Sequence, residues 1–181
     1  VQIGMGRSGT IFAYQQENIA PDIIALAKGL GGGFPVGAVM AKAKVGDAMI
    51  PGTHGSTFGG NPLAMRSANA VLDLLLEDDF LKILRENITY FDNKMDALIN
   101  DDDKVSPVIL CKKGSGMLRG FQLTENIAAG DFGNISREKG LLLVGAAENT
   151  IRLLPPLNTS KEEIDQAFEI LCEVVKEIKK N

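Results

Sequence analysis

The chain has 181 residues, enough for one ordinary domain or two small ones, and its 45% apolar content can fill a buried core. A formal net charge of -4 offers no basic face to nucleic acid, and no apolar run approaches the roughly 20 residues that cross a bilayer. No basic leader followed by an apolar stretch opens the sequence given, and Cys111 and Cys172 stand far apart without metal-type spacing. Reduced thiols in a cytoplasmic protein are therefore expected.

Val1 leads almost at once into Gly4-Met5-Gly6-Arg7-Ser8-Gly9, where a natural start would usually supply an element first. A C-terminal portion of a longer protein is expected. Residues 1–61 are glycine-rich. Two short apolar runs in them, Ile23–Ala27 and Val36–Ala41, are bounded by turn residues and suit buried strands better than helices. Asn61-Pro62 then gives an N-cap and a first helical position, and Ala64, Ala68, Val71, Leu72 and Leu75 share one helical face. A second helix is expected from about Asp78 or Asp79, with Leu84, Ile88, Phe91, Met95 and Leu98 on its face, and Asp101-Asp102-Asp103 reads as a solvated turn.

From about residue 104 the pattern is that of a small α+β unit. Val105–Cys111 and Met117–Leu123 are strand candidates around Gly114-Ser115-Gly116, and a helix is expected over 126–139 with Lys139-Gly140 as its stop. Leu141–Val144 and Thr150–Leu154 are further strand candidates, the latter ended by Pro155-Pro156. Ser160-Lys161-Glu162-Glu163 fits a capping box before a last helix whose face is Ile164, Phe168, Leu171, Val175 and Ile178.

Several motifs fail on their context. Gly4, Gly6 and Gly9 match a dinucleotide fingerprint by letter, but almost nothing precedes them and Thr10–Tyr14 reads as strand rather than helix, so a tight turn is the better reading. Gly29–Gly33 lacks the Gly-Lys-Ser/Thr of a P-loop. His54, the only histidine, lies beside Ser56 without the partners of a hydrolase triad, and one histidine with two distant cysteines makes no zinc site.

Lys28 is a stronger candidate. It follows Ile23–Ala27 and precedes Gly29 and Gly31-Gly32-Gly33. A lysine ending a buried strand loses hydration, which frees its amine as a nucleophile, and neighbouring glycines let a flat ring approach the backbone. On local features alone a surface lysine at a strand end is the simpler reading. Ser56-Thr57 alone reads as a turn, and Arg152 alone as a strand arginine facing solvent.

Four blocks shift these readings. Pro21–Ala38, with Lys28 at its centre, resembles the lysine segment of the class III aminotransferases. Val1–Gly9 resembles the end of that family's Asp-Glu-Val-Gln stretch, His54–Ala64 a third block and Ile151–Leu157 a fourth, all in the family's order and usual spacing. The resemblance spans essentially the whole chain. It implies an α/β architecture: the end of the large domain of an aspartate-aminotransferase-type (fold type I) enzyme over 1–60, a helical connection over 61–103, and a C-terminal α+β small domain over 104–181.

The resemblance also implies pyridoxal 5'-phosphate as cofactor, held by Lys28, whose amine when freed carries the proton between substrate and cofactor carbons. By the same resemblance Gln2 lies beside the ring hydroxyl and Val1 belongs to the same cofactor-contacting stretch. Thr57 holds the phosphate from the neighbouring subunit of a homodimer, Ser56 is near the substrate, and Arg152 clamps a substrate carboxylate. Arg119 has no comparable case and is expected to be structural. Within the family the wording is nearest to members that take N-acetylornithine as donor and 2-oxoglutarate as acceptor, in arginine biosynthesis. Members acting on ornithine or 4-aminobutyrate share the lysine block.

Two other classes compete with the enzyme reading: a non-catalytic dimerisation fragment, which could lose Lys28 freely, and a nucleotide-binding protein, which rests only on glycine loops. The family's ring-nitrogen aspartate falls two residues before Val1, and its phosphate loop, stacking aromatic and second substrate arginine also precede this sequence. These 181 residues alone are therefore expected not to transaminate appreciably, and a spectroscopic assay giving near-normal turnover by the isolated chain would refute that expectation.

Overall fold

A computed structural model describes residues 1–101 and 107–180, and contacts divide the chain into two compact units, Val1–Lys82 and Ile83–Asn181. In the first unit β1 (Ile23–Leu26) pairs antiparallel with β2 (Ala38–Ala41), Ile23 facing Ala41 and Leu26 facing Ala38. Both strands were expected to be buried. Both instead lie largely at the surface, with Ile23 56% and Val39 68% exposed, because a two-stranded ribbon has no second layer within this unit to cover its faces. The Lys42–Asp22 ion pair at 2.9 Å and the Lys42 N–H bond to the Asp22 carbonyl close the ribbon's base. A single helical turn, α1 (Ala43–Gly46), follows.

The ribbon's connection, residues 27–37, is held by α2 (Pro62–Leu75). Asn61 caps this helix by accepting from Leu63 N–H at 3.0 Å and Ala64 N–H at 3.2 Å, and Pro62 occupies a position whose missing N–H is not needed. Ala64, Ala68 and Leu75 are buried, and between them Ser67 donates its hydroxyl to the Gly31 carbonyl at 2.7 Å. Gly32 sits so close that a Cβ there would lie 2.9 Å from Val71 Cγ2, and its φ of +57° also favours glycine.

Thr10–Tyr14, expected as strand, forms bends that enter a 3-10 turn over Ala13–Gln16. Local hydrogen bonds explain the difference: Thr10 Oγ1 donates to Phe12 O at 2.9 Å, and Phe12 N–H to Gln15 Oε1 at 2.8 Å. Polar side chains that satisfy nearby backbone groups compete with a ladder.

The long helix α3 (Phe80–Ile99) runs into the second unit, where Leu84, Phe91, Met95 and Leu98 are buried as expected. Asn87 is buried as well, which periodicity did not indicate; its Nδ2 donates to the Thr159 carbonyl at 2.9 Å. A four-stranded antiparallel sheet has the order β3-β4-β6-β5, with β3 (Ile109–Ser115), β4 (Leu118–Leu123), β5 (Val144–Ala146) and β6 (Thr150–Leu153). Phe121, Leu123, Ile151 and Leu153 put one face of β4 and β6 into the core. Asp102, Asp103 and Val105 of the expected turn and strand lie outside the described residues.

The helix expected over 126–139 is α4 (Ala129–Glu138), shortened at its start because Ile127 N–H closes a turn on Thr124 O. Leu141–Val144 is not a strand. Gly140, at φ +91°, ends α4, and Leu141 donates its N–H to Ser136 O and accepts from Ser136 Oγ, so the chain joins the sheet only at Val144. The last helix, α5 (Lys161–Ile178), starts at the expected capping box of Ser160 and Glu163. Its buried Ile164, Phe168, Leu171, Val174 and Val175 are each worth about 1.5–3 kcal/mol relative to exposure, and Phe168 meets Phe91 edge to face at 5.8 Å.

Two tests follow from this unit. Gly114, at φ +88°, faces β4 so closely that a Cβ would lie 2.2 Å from Leu118 O. Gly114→Ala must part the hairpin and is expected to cost about 2 kcal/mol or more in urea unfolding; a loss below about 0.5 kcal/mol would contradict this geometry. On the surface, the carboxylate of Asp165 is held below its ordinary range by hydrogen bonds from Lys94 and Tyr90. A depressed carboxylate stabilises the fold above its unfolded value and loses that contribution as pH falls through the folded one. Asp165→Asn should therefore narrow the drop in melting temperature between about pH 6 and about pH 3. Equal drops in parent and variant would show the link to be inert.

Candidate active site

Lys28 does not end a strand, as had been expected. β1 stops at Leu26, Ala27 is fully extended, and Lys28 opens a 3-10 turn, Lys28–Gly31, with its own φ at +50°. A left-handed conformation costs a side-chain-bearing residue on the order of 1–2 kcal/mol, and such residues persist where their surroundings over-determine them. The surroundings here are Leu30, buried beneath the turn, the Gly31 carbonyl tied to Ser67, and the Leu30 N–H bond to Ala27 O at 3.1 Å. Nothing in the letters Ala-Lys-Gly marks the lysine rather than a glycine as the left-handed residue.

The Lys28 side chain is exposed and has no acid or acceptor partner among the described residues. The desolvation expected of a buried strand end is thus not supplied within this unit. Lys28, Gly29, Gly32, Gly33 and Phe34 line an open groove, and no atom lies within 4 Å of where a Gly33 Cβ would be. Beside it a cleft of about 140 Å³ is lined by Val1, Met5, Phe12 and Ala27, which brings Val1 next to the residue preceding Lys28. Gly9 N–H to Gly6 O at 2.7 Å and the Gln16 amide on the Ser8 carbonyl hold the loop that forms this wall. Gln2 is exposed at its edge.

Ser56 and Thr57 are exposed in the turn that feeds α2, closed by Gly59 N–H to Ser56 O at 3.2 Å and Asn61 N–H to Phe58 O at 3.1 Å. Their hydroxyls make no hydrogen bond among the described residues. A free amine, a surface stripped of side chains by glycine and a hydroxyl-bearing glycine turn are the donor set that an aldehyde-bearing, phosphorylated flat ring requires. Among the described residues no cluster of histidine, cysteine and acid could hold a metal ion.

Arg152 belongs to the second unit. It lies on β6, with Gly120 of β4 and Val144 of β5 as its cross-strand neighbours. It lines a cavity of about 420 Å³ with largely apolar walls that include Phe91, Leu142, Val144, Leu154 and Pro156, with Thr159 and the capping residue Glu163 also on its lining. Its Nε is buried with no hydrogen-bond partner among the described residues. An unmet buried donor is costly, and a guanidinium in an apolar setting is relieved by a carboxylate, which it binds through two parallel bonds. Arg119, by contrast, is fully engaged in structure: Nη1 donates to Gly114 O, Nε to Gly116 O, and Nη2 pairs with Asp92 at 2.8 Å.

The model of the class-III aminotransferases matches residues 1–175. The chain is 45% identical over 174 residues to an acetylornithine aminotransferase of Streptococcus mutans, an alignment that takes in 96% of this chain and 44% of that protein. Among solved structures, acetylornithine aminotransferase from Elizabethkingia anophelis superposes with a TM-score of 0.87 at 33% identity, over 98% of this chain and 44% of that one. Ornithine delta-aminotransferase of Plasmodium falciparum gives 0.89 at 30% identity, over 100% and 46%. This chain spans less than half the length of the relatives it matches. The chain belongs to the class-III aminotransferases, a family of pyridoxal-phosphate-dependent transaminases with the fold type I architecture.

Proposed function

We propose that this chain supplies the lysine-bearing portion of an enzyme that moves the terminal amino group of N-acetylornithine to 2-oxoglutarate, in arginine biosynthesis. The observation that carries the reading is Lys28: its amine is free, its backbone is fixed in a left-handed turn, and glycine clears the surface beside it. The relatives named for acetylornithine, at 40–46% identity, support that donor over others. Ornithine as donor is the second reading, favoured by the high structural likeness to ornithine aminotransferases. In either case the enzyme would work in the cytoplasm as a homodimer whose subunits share their active sites.

In this reading residues 1–60 end the large cofactor domain, 61–103 connect, and 104–181 form the small domain. The cofactor, when bound, supplies an electron sink for the bond being broken at the substrate carbon. Lys28 would hold it and, once released, accept and return the proton at Nζ. Val1 and Gln2 would flank the ring and Thr57 would bind the phosphate, its hydroxyl free for that purpose. Ser56 would lie near the substrate, and Arg152 would hold a substrate carboxylate in a setting where water competes poorly.

The roles of Lys28 and Arg152 can be separated without turnover. Incubation of the chain with pyridoxal phosphate, followed by borohydride reduction and peptide mass spectrometry, is expected to place the phosphopyridoxyl group on Lys28 in preference to the other lysines. Lys28→Ala should abolish that selective label while Arg152→Lys leaves it unchanged. Labelling spread evenly over surface lysines would overturn the assignment of Lys28.

A further inference from the structure

The three-residue turn between β5 and β6, Ala147-Glu148-Asn149, places two side-chain-bearing residues in the left-handed region, Glu148 at φ +56° and Asn149 at φ +49°. Asparagine tolerates that conformation better than most residues, but here its side chain also works outside the turn. Asn149 Oδ1 accepts from Ala129 N–H at 3.0 Å, and Nδ2 donates to Thr124 O at 2.9 Å and to Ile127 O at 2.8 Å. The Asn149 carbonyl accepts from Leu123 N–H at 2.9 Å, which carries the β4–β6 ladder past its last paired residues. One residue thus ties the start of β6 to the end of β4, to the 124–127 loop and to the N-terminus of α4. That helix has no cap of its own, since its N-cap is Ala128. Asn149 supplies the missing acceptor from a distant part of the sequence.

Arg152 lies three positions further along this strand. Its cross-strand neighbours offer it no hydrogen bond from a side chain: Gly120 has none and that of Val144 is apolar. Its Nε has no partner among the described residues. With no hydrogen bond on Nε to hold it, the guanidinium takes its position from the backbone of β6 that carries it, within the walls of its cavity. That backbone has little slack, because a Cβ on Gly120 would already lie 2.7 Å from Thr150 Cγ2 and 2.9 Å from Ile151 O. Whatever sets the depth and register of β6 sets the position of Arg152.

We propose that Asn149 is the positioning residue for Arg152: through its three side-chain hydrogen bonds it fixes the start of β6 and so the place at which Arg152 meets a carboxylate. The carboxylate half of this inference rests on the role proposed above for Arg152; the positioning half does not.

The test uses two substitutions in the 181-residue chain. Asn149→Asp keeps the shape and the acceptor but turns the donor that serves two carbonyls into an acceptor. Asn149→Gly keeps the left-handed backbone and removes the amide. The readouts are the Arg152 Nε–H signal in ¹⁵N NMR, its exchange with solvent, and its shift on titration with 2-oxoglutarate. In the parent the signal should exchange slowly and move with added 2-oxoglutarate. Both substitutions should speed its exchange at least about tenfold and weaken 2-oxoglutarate binding by a similar factor, with the core signals of Met95 and Leu171, on the helices away from β6, unmoved. Should Asn149→Asp fail to fold, Asn149→Gly carries the test. Slow exchange and parental affinity in a folded variant would overturn the inference while leaving the role of Arg152 intact. Arg152 unmoved by 2-oxoglutarate even in the parent would remove that role. Faster exchange in the variants would then still support positioning, and unchanged exchange would sink it.

Discussion

The close approach of a glycine turn to a helix is the constraint on which the first unit depends. Residues 28–33 can lie against α2 only because Gly32 carries no side chain where Val71 stands and because Ser67 reaches across to the Gly31 carbonyl. Those two contacts convert a connection between short strands into a rigid platform. Without them Lys28 would sit on a loop free to relax out of its left-handed conformation, and the geometry that distinguishes it from an ordinary surface lysine would be lost. The helix is in turn well begun by Asn61 and Pro62, so the site inherits its order from a capping signal more than thirty residues downstream.

The second unit reaches the same end by other means. One apolar face of α5 and one of α3 pack into a core shared with β4 and β6, and polar side chains settle how the remaining pieces join. Asn87 binds the backbone before α5, Arg119 gathers the β3–β4 turn, and Asn149 gathers the β5–β6 turn. Each satisfies main-chain groups that no ladder or helix could reach. The apolar face decides that a core forms, and these side chains decide which arrangement it adopts.

Much of this was legible in the sequence. The three amphipathic helices α2, α3 and α5, and the caps Asn61 and Ser160, followed from period and end signals, because a helix repeats its pattern often enough to be read. The short elements were less legible. Leu141–Val144 has strand residues, yet the Ser136–Leu141 closure after Gly140 delays its entry into the sheet by several residues. Thr10–Tyr14 failed because polar side chains there bond their own neighbours. The site divided in the same way. Lys28, Thr57 and Arg152 are singled out by resemblance of whole blocks, whereas the positive φ of Lys28, the unmet Nε of Arg152 and the reach of Asn149 belong to three-dimensional contacts that no single motif encodes.

The exposed ribbon of β1 and β2 has a consequence for handling the molecule. Each strand pairs on one side only, and Ile23, Val39 and Met40 present apolar side chains beside the free edges. Such edges template pairing with another chain, and the charged pair of Lys42 and Asp22 stands at one end of the ribbon. For these 181 residues by themselves, self-association at such edges is a property separate from the thermodynamic stability of either core. A substitution that strengthens α5 would raise the melting point and leave the tendency to self-associate unchanged, while a single lysine on the open edge of β2 would do the reverse.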